Sequence, residues 1–169
     1  MPSRIKTRGT QEELKKWLSH AKRVVIAGIG NPMRRDDFVG VKIVESLKGK
    51  VPENVLLIEC ETVPESFIQQ IIDFNPTHLM LIDAAVQGLK QGEWKLTYPK
   101  KLTTATAYST HALPLRIFCE QLSATAKVRI ALLLIEPKET SFGEGLSPEI
   151  EAAAQNISTI LTGAFCKKG

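Results

Sequence analysis

Apolar positions along the chain follow two alternating rhythms. "RVVIAGI", "NVLLIEC" and "THLMLIDAA" are short unbroken apolar runs of strand length. Between them lie "DFVGVKIVESLK", with Val41, Val44 and Leu47 at helical spacing, and "PESFIQQIIDF", with proline in its first turn. This βαβαβ order is the pattern of a parallel sheet covered on both faces.

The rhythm then breaks. "GEWKLTYP" alternates, with Trp94, Leu96 and Tyr98 on one side and Glu93, Lys95 and Thr97 on the other. Too few residues separate it from the preceding run for a parallel crossover, which needs about a dozen. It therefore reads as an antiparallel edge strand with one wet face. "HALPLRIFCEQL" reads as a helix and "KVRIALLLIEP" as a central strand covered on both faces. "SPEIEAAAQNISTILTGAF" reads as a last helix, with Ser147 as N-cap and Pro148 at its first position. Ahead of all this, "TQEELKKWLSHAK" is an amphipathic helix whose Thr10 and Glu13 form a T-x-x-E capping box. The expected architecture is α/β: a three-layer α/β/α domain around a mostly parallel five-stranded sheet with one antiparallel edge strand. One domain covers residues 1–169, with residues 1–22 as an N-terminal helical extension.

Composition changes this picture little. At 169 residues, 43% hydrophobic and 24% charged, the chain can bury a sizeable core. The formal net charge of +4 is spread out, apart from Arg34-Arg35, Lys100-Lys101 and Lys167-Lys168, and it does not demand nucleic acid. Three cysteines, Cys60, Cys119 and Cys166, without a C-x-x-C pair argue against a disulfide framework and fit a reducing cytoplasm. No apolar run approaches membrane-spanning length, and no signal-peptide core is present.

The chemistry concentrates in "GIGNPMRRDDFVG". A dinucleotide fingerprint would need a third glycine where Met33 stands, and a ribose-binding acid about 20 residues on. Glu59 lies 29 residues beyond Gly30, and Asp36 and Asp37 stand where a phosphate would sit. No Walker lysine follows, so no nucleotide cofactor is expected. One of the two aspartates could cap the following helix. Asp83 ends the run "LMLID", and His111 lies in "YSTHALP" before a helix. Sites in open α/β sheets form outside the carboxyl ends of the strands. Asp37, Asp83 and His111 could therefore meet there as a weak divalent-metal triad. The same spacing serves equally for ordinary caps and a surface histidine. His20 and His78 read as solvated polar residues, and strand-end Cys60 as structural. Serine, cysteine, aspartic and zinc protease motifs are absent.

"GIGNPMRRDDFVG", "IECETVPES", "LMLIDAA" and "STHALPL" occur in the order seen in the [NiFe]-hydrogenase maturation endopeptidases, and the chain resembles that family from Val24 to its last helix. The resemblance implies a hydrolase that removes the C-terminal extension of a hydrogenase large-subunit precursor after nickel insertion. It assigns the metal-associated catalytic positions to Asp37, Asp83 and His111. The nickel is expected to be carried by the substrate, and no nucleic acid or membrane insertion is implied. The loop Glu61, Thr62 to Glu65 would touch the substrate peptide. Two positions depart from the family: Phe38 stands where glycine is usual, which puts the turn's geometry in question, and Cys60-Glu61-Thr62-Val63 replaces a glycine-rich stretch. The opening "GIGNP" also resembles peptidyl-tRNA hydrolases, but the histidine-asparagine pair expected soon after is missing. A non-catalytic chaperone for nickel-loaded subunits would carry the same triad. Sequence does not decide whether Asp36 can replace Asp37. If Asp36 is only a cap, its loss costs about 0.5–2 kcal/mol.

Overall fold

A computed structural model describes residues 2–102 and 112–166. Five strands, β1 (Val24–Ile29), β2 (Val55–Glu61), β3 (His78–Ala84), β4 (Trp94–Thr97) and β5 (Arg129–Ile135), form one sheet in the order β2-β1-β3-β5-β4. The first four of that order run parallel, and β4 pairs antiparallel to β5, Trp94 opposite Ile135. This is the sheet expected from the apolar pattern, antiparallel edge included. One detail differs: Thr97, on the side expected to be wet, is buried. The chain turns at once into a short 3-10 segment, Pro99–Lys101, that packs back against β5 and shields it.

The helices are α1 (Pro2–Ser19), α2 (Val39–Leu47), α3 (Ile68–Phe74), α4 (Ala112–Thr125) and α5 (Pro148–Cys166). Strand residues alternate between two apolar layers. Val24, Ile26, Met80, Ile82 and Leu133 pack with Leu14 of α1, Ile43 of α2 and Ile157 of α5. Val25, Ala27, Leu79, Leu81 and Leu132 pack with Ile71 of α3 and Phe118 of α4. The result is the expected three-layer α/β/α fold.

The first helix departs from its sequence signals. It runs from Pro2, so Thr10 and Glu13 lie inside it and cannot form an N-terminal capping box. Nothing upstream breaks a helix outright; Gly9 only weakens one. His78 is also not solvated. It is 3% exposed, its ring meets Trp17 of α1 edge-on at 4.8 Å, and its Nδ1 lies 2.8 Å from Thr77 Oγ1. The passage of α1 over the start of β3 buries it.

Two glycines set how closely α2 lies on the sheet. A Cβ on Gly40 would fall 2.0 Å from Ile82 O and 2.5 Å from Ile29 O. A Cβ on Gly28 would fall 2.5 Å from Gly40 O. Only hydrogen fits at either position, so the main chain of α2 rests directly on that of β1 and β3. That contact brings the start of α2, and the turn before it, to the carboxyl end of β3.

Candidate active site

The segment after β1 carries the acidic pair. Gly30 has φ +149, and its N–H donates to Glu61 O at 2.8 Å, tying the turn to the end of β2. A 3-10 segment, Arg35–Phe38, follows and leads into α2. Phe38 has φ −77, ordinary right-handed backbone, so the turn needs no glycine there. The left-handed position falls three residues earlier, at Arg35, with φ 44.

Asp36 and Asp37 are both buried, and neither caps α2 through its side chain. Asp36 points to the loop after β5. Its Oδ2 accepts the backbone N–H groups of Lys138 at 3.0 Å and Glu139 at 2.8 Å, and the Ser147 hydroxyl at 2.8 Å. Its Oδ1 accepts the Ser147 N–H at 2.7 Å. The expected cap role for Asp36 is thus replaced by a clamp, because the loop leaving β5 presents three backbone donors that nothing else in that turn satisfies. Ser147 does precede α5, but its hydroxyl is spent on Asp36. The clamp is reinforced by backbone bonds from Arg35 N to Gly143 O, Asp36 N to Glu139 O and Gly143 N to Met33 O.

Asp37 is oriented differently. It is 5% exposed, and its Oδ2 accepts the Asn31 N–H at 2.9 Å. The 3-10 turn that carries it packs against β3, on which Asp83 is fully buried with Oδ1 accepting the Ala84 N–H at 2.9 Å. Asp37 is therefore held by a backbone N–H just past the end of β1 and Asp83 by one at the end of β3, both at the carboxyl end of the sheet. Of the proposed triad, the structure brings together the elements bearing Asp37 and Asp83. His111 lies outside the described residues, and among those described no three His, Cys, Asp or Glu side chains form a metal-holding group. Two carboxylates with one imidazole would form a donor set suited to a borderline divalent transition metal.

The loop after β2 borders this crevice. Glu61, Thr62 and Glu65 are exposed, and Glu61 adopts left-handed φ 50. Cys60 beside them is buried, and burial, with Glu65 adding to it, pushes its thiol up to about 12. It stays protonated near neutrality and is no nucleophile. Glu59 is ion-paired to Lys48 at 2.8 Å rather than facing a nucleotide.

One carboxylate escaped the sequence reading. Glu136 follows β5, is 6% exposed, and its Oε2 accepts the Gln87 N–H at 2.6 Å. Its backbone pairs with Gly92 and Glu93, so it pins the loop leaving β3 just past Asp83. "LLLIEP" bears the same signal as "LMLIDAA": an acid closing an apolar strand.

Fold and crevice together define a three-layer α/β/α protein with paired acids at the switch point of a parallel sheet. A family model described as "Hydrogenase maturation protease" matches residues 41–164. A relative from Methanocaldococcus jannaschii, provisionally named a hydrogenase maturation protease, is 32% identical over 159 residues, covering 89% of this chain and 93% of its own. The crystal structure of a [NiFe] hydrogenase maturation protease HycI from Thermococcus kodakarensis superposes with a TM-score of 0.84 at 34% identity, covering 90% of this chain and 98% of that one. The solution structure of the endopeptidase HycI from Escherichia coli gives 0.75 at 27% identity, covering 84% and 90%. The chain belongs to the hydrogenase maturation protease family.

Proposed function

We propose that this chain is an endopeptidase that removes the C-terminal extension of a [NiFe]-hydrogenase large-subunit precursor once nickel is in place. The observation that carries the reading is the seating of the Asp37 turn against β3, through Gly40 and Ile82, beside Asp83. Family membership supplies the protease activity and the kind of substrate.

Nickel enters as part of the substrate, held by the precursor. Asp37, Asp83 and His111 fill its remaining coordination positions, so loaded precursor binds and unloaded precursor does not. A three-ligand set without thiolate binds free metal weakly, which keeps the enzyme from being saturated by metal alone. The scissile peptide lies beside this centre, with Glu61, Thr62 and Glu65 contacting the extension. Attack by water is assisted by polarisation at the metal or by a carboxylate acting as base. The three free thiols, Cys60, Cys119 and Cys166, fit action in the reducing cytoplasm.

The test mixes purified protein with large-subunit precursor from the same organism, with and without nickel, and reads product mass. Loss of a C-terminal peptide from the loaded form alone supports the proposal. Cleavage of both forms removes the nickel requirement. Binding without cleavage would make the protein a chaperone, and hydrolysis of peptidyl-tRNA would overturn the reading.

A further inference from the structure

Arg35 occupies a costly position. Its φ of 44 lies in the left-handed region, where a side chain crowds the backbone and glycine is favoured. Arg35 is exposed, so no burial of its side chain offsets that strain. Strained backbone of this kind concentrates at functional sites.

The main chain at Arg35 is also held in place. The Arg35 N–H donates to Gly143 O at 3.0 Å, and a Cβ built on Gly143 would lie 2.8 Å from Arg35 Nε and 2.9 Å from Cζ and Nη2. The guanidinium therefore lies over Gly143, whose φ of 148 favours glycine. Among the described residues Arg35 forms no ion pair. Nearby Glu139 is occupied elsewhere: hydrogen bonds from Ser141 hold its carboxylate below the usual range, and Arg35 adds a smaller effect. Two exposed apolar side chains sit on the same stitched loops, Met33 at 40% and Phe142 at 77%. An exposed guanidinium without an ion-pair partner, on loops that also expose apolar side chains, fits a polypeptide segment bearing a carboxylate with apolar neighbours.

We propose that Arg35 is a specificity residue whose guanidinium, laid across Gly143 at the rim of the Asp37 crevice, receives an acidic side chain of the substrate polypeptide flanking the cleaved bond. This rests on the endopeptidase reading above. Met33 and Phe142 hold the apolar neighbours of that acid, so the segment is read as apolar–acidic–apolar.

The experiment compares the parent with Arg35→Gly and Arg35→Asn on nickel-loaded precursor. Both replacements tolerate left-handed backbone, so melting temperatures should equal or exceed the parent's. Processing should fall about tenfold or more in kcat/KM, chiefly through KM, as expected for a lost charged contact. Alanine replacement of each acidic residue flanking the precursor's cleavage site should then find one whose loss slows the parent but not Arg35→Gly. Lysine at that substrate position should be rescued by Arg35→Glu. Parent-like processing by folded Arg35→Gly and Arg35→Asn overturns the inference and leaves the endopeptidase reading standing. A parent that leaves loaded precursor intact removes both.

Discussion

Asp36 Oδ2 receives the Ser147 hydroxyl at 2.8 Å while its Oδ1 receives the Ser147 N–H at 2.7 Å, so the turn after β1 and the start of α5 share one carboxylate across 111 residues of chain. With the Lys138 and Glu139 N–H groups, four donors converge on a side chain with no exposure. Asp36→Ala should cost about 2–4 kcal/mol, well beyond a lost cap, because buried donors are left unpaired. Ser147→Ala should cost only about 1 kcal/mol. Urea midpoints at constant m-value measure both; equal, small costs would mean that water replaces the carboxylate.

Asp37 should behave in the opposite way. Its carboxylate accepts the Asn31 N–H, and the turn that carries it packs against β3. Asp37→Asn keeps the size of the side chain and should melt within about 1 kcal/mol of the parent. It should nonetheless abolish processing. A mutant that processes normally would pass the ligand role to another acid.

Nickel or cadmium titrated into the isolated protein should reveal one weak site. Affinity should fall as pH is lowered, because protons compete for carboxylates and imidazole. Alanine at Asp37, Asp83 or His111 should each weaken it by isothermal titration. Unchanged binding in all three variants would end the triad assignment.

Two glycines in helices should answer alanine oppositely. At Gly40 the added Cβ meets Ile82 O at 2.0 Å, so Gly40→Ala should lose about 3 kcal/mol or fail to fold. At Gly163, inside α5, nothing lies within 4 Å, and alanine should gain about 0.5–1 kcal/mol from helix propensity. Thermal melts of the pair decide it.

Cysteine chemistry gives a last check. Cys60 and Cys119 are buried, and burial pushes both thiols up to about 12. Iodoacetamide at mildly alkaline pH should label exposed Cys166 alone in the native protein and all three residues in denaturant. The native state keeps protons on these two thiols that the unfolded chain, with values near 9.0, releases. Their contribution to stability is therefore intact below about pH 9 and falls as pH rises toward 12.

Much of the fold was legible because sheet geometry writes itself as apolar rhythm. The break before Trp94 marked the antiparallel edge, and the unbroken run ending at Ile135 marked a strand flanked on both sides. What stayed hidden depends on contacts remote in sequence. The two aspartates are identical as letters; only the loop after β5 gives Asp36 its partners and leaves Asp37 to face β3. His78 looked solvated because nothing in the strand announces that Trp17 will cover it. The family's missing glycine drew attention to Phe38, whereas the strained residue is Arg35, since φ is a property of the assembled turn and not of a motif position. Glu136 is legible in principle, since it closes an apolar run as Asp83 does.

The partners of Asp36 also impose an order on biosynthesis. Lys138, Glu139 and Ser147 leave the ribosome about a hundred residues after the aspartate they satisfy. Until they emerge, the nascent chain can pair its first three parallel strands but must keep Asp36 in water, and the turn before α2 lacks its ties to the loop after β5. The turn carrying the acidic pair thus gains its full set of hydrogen bonds only once the last helix has begun to form.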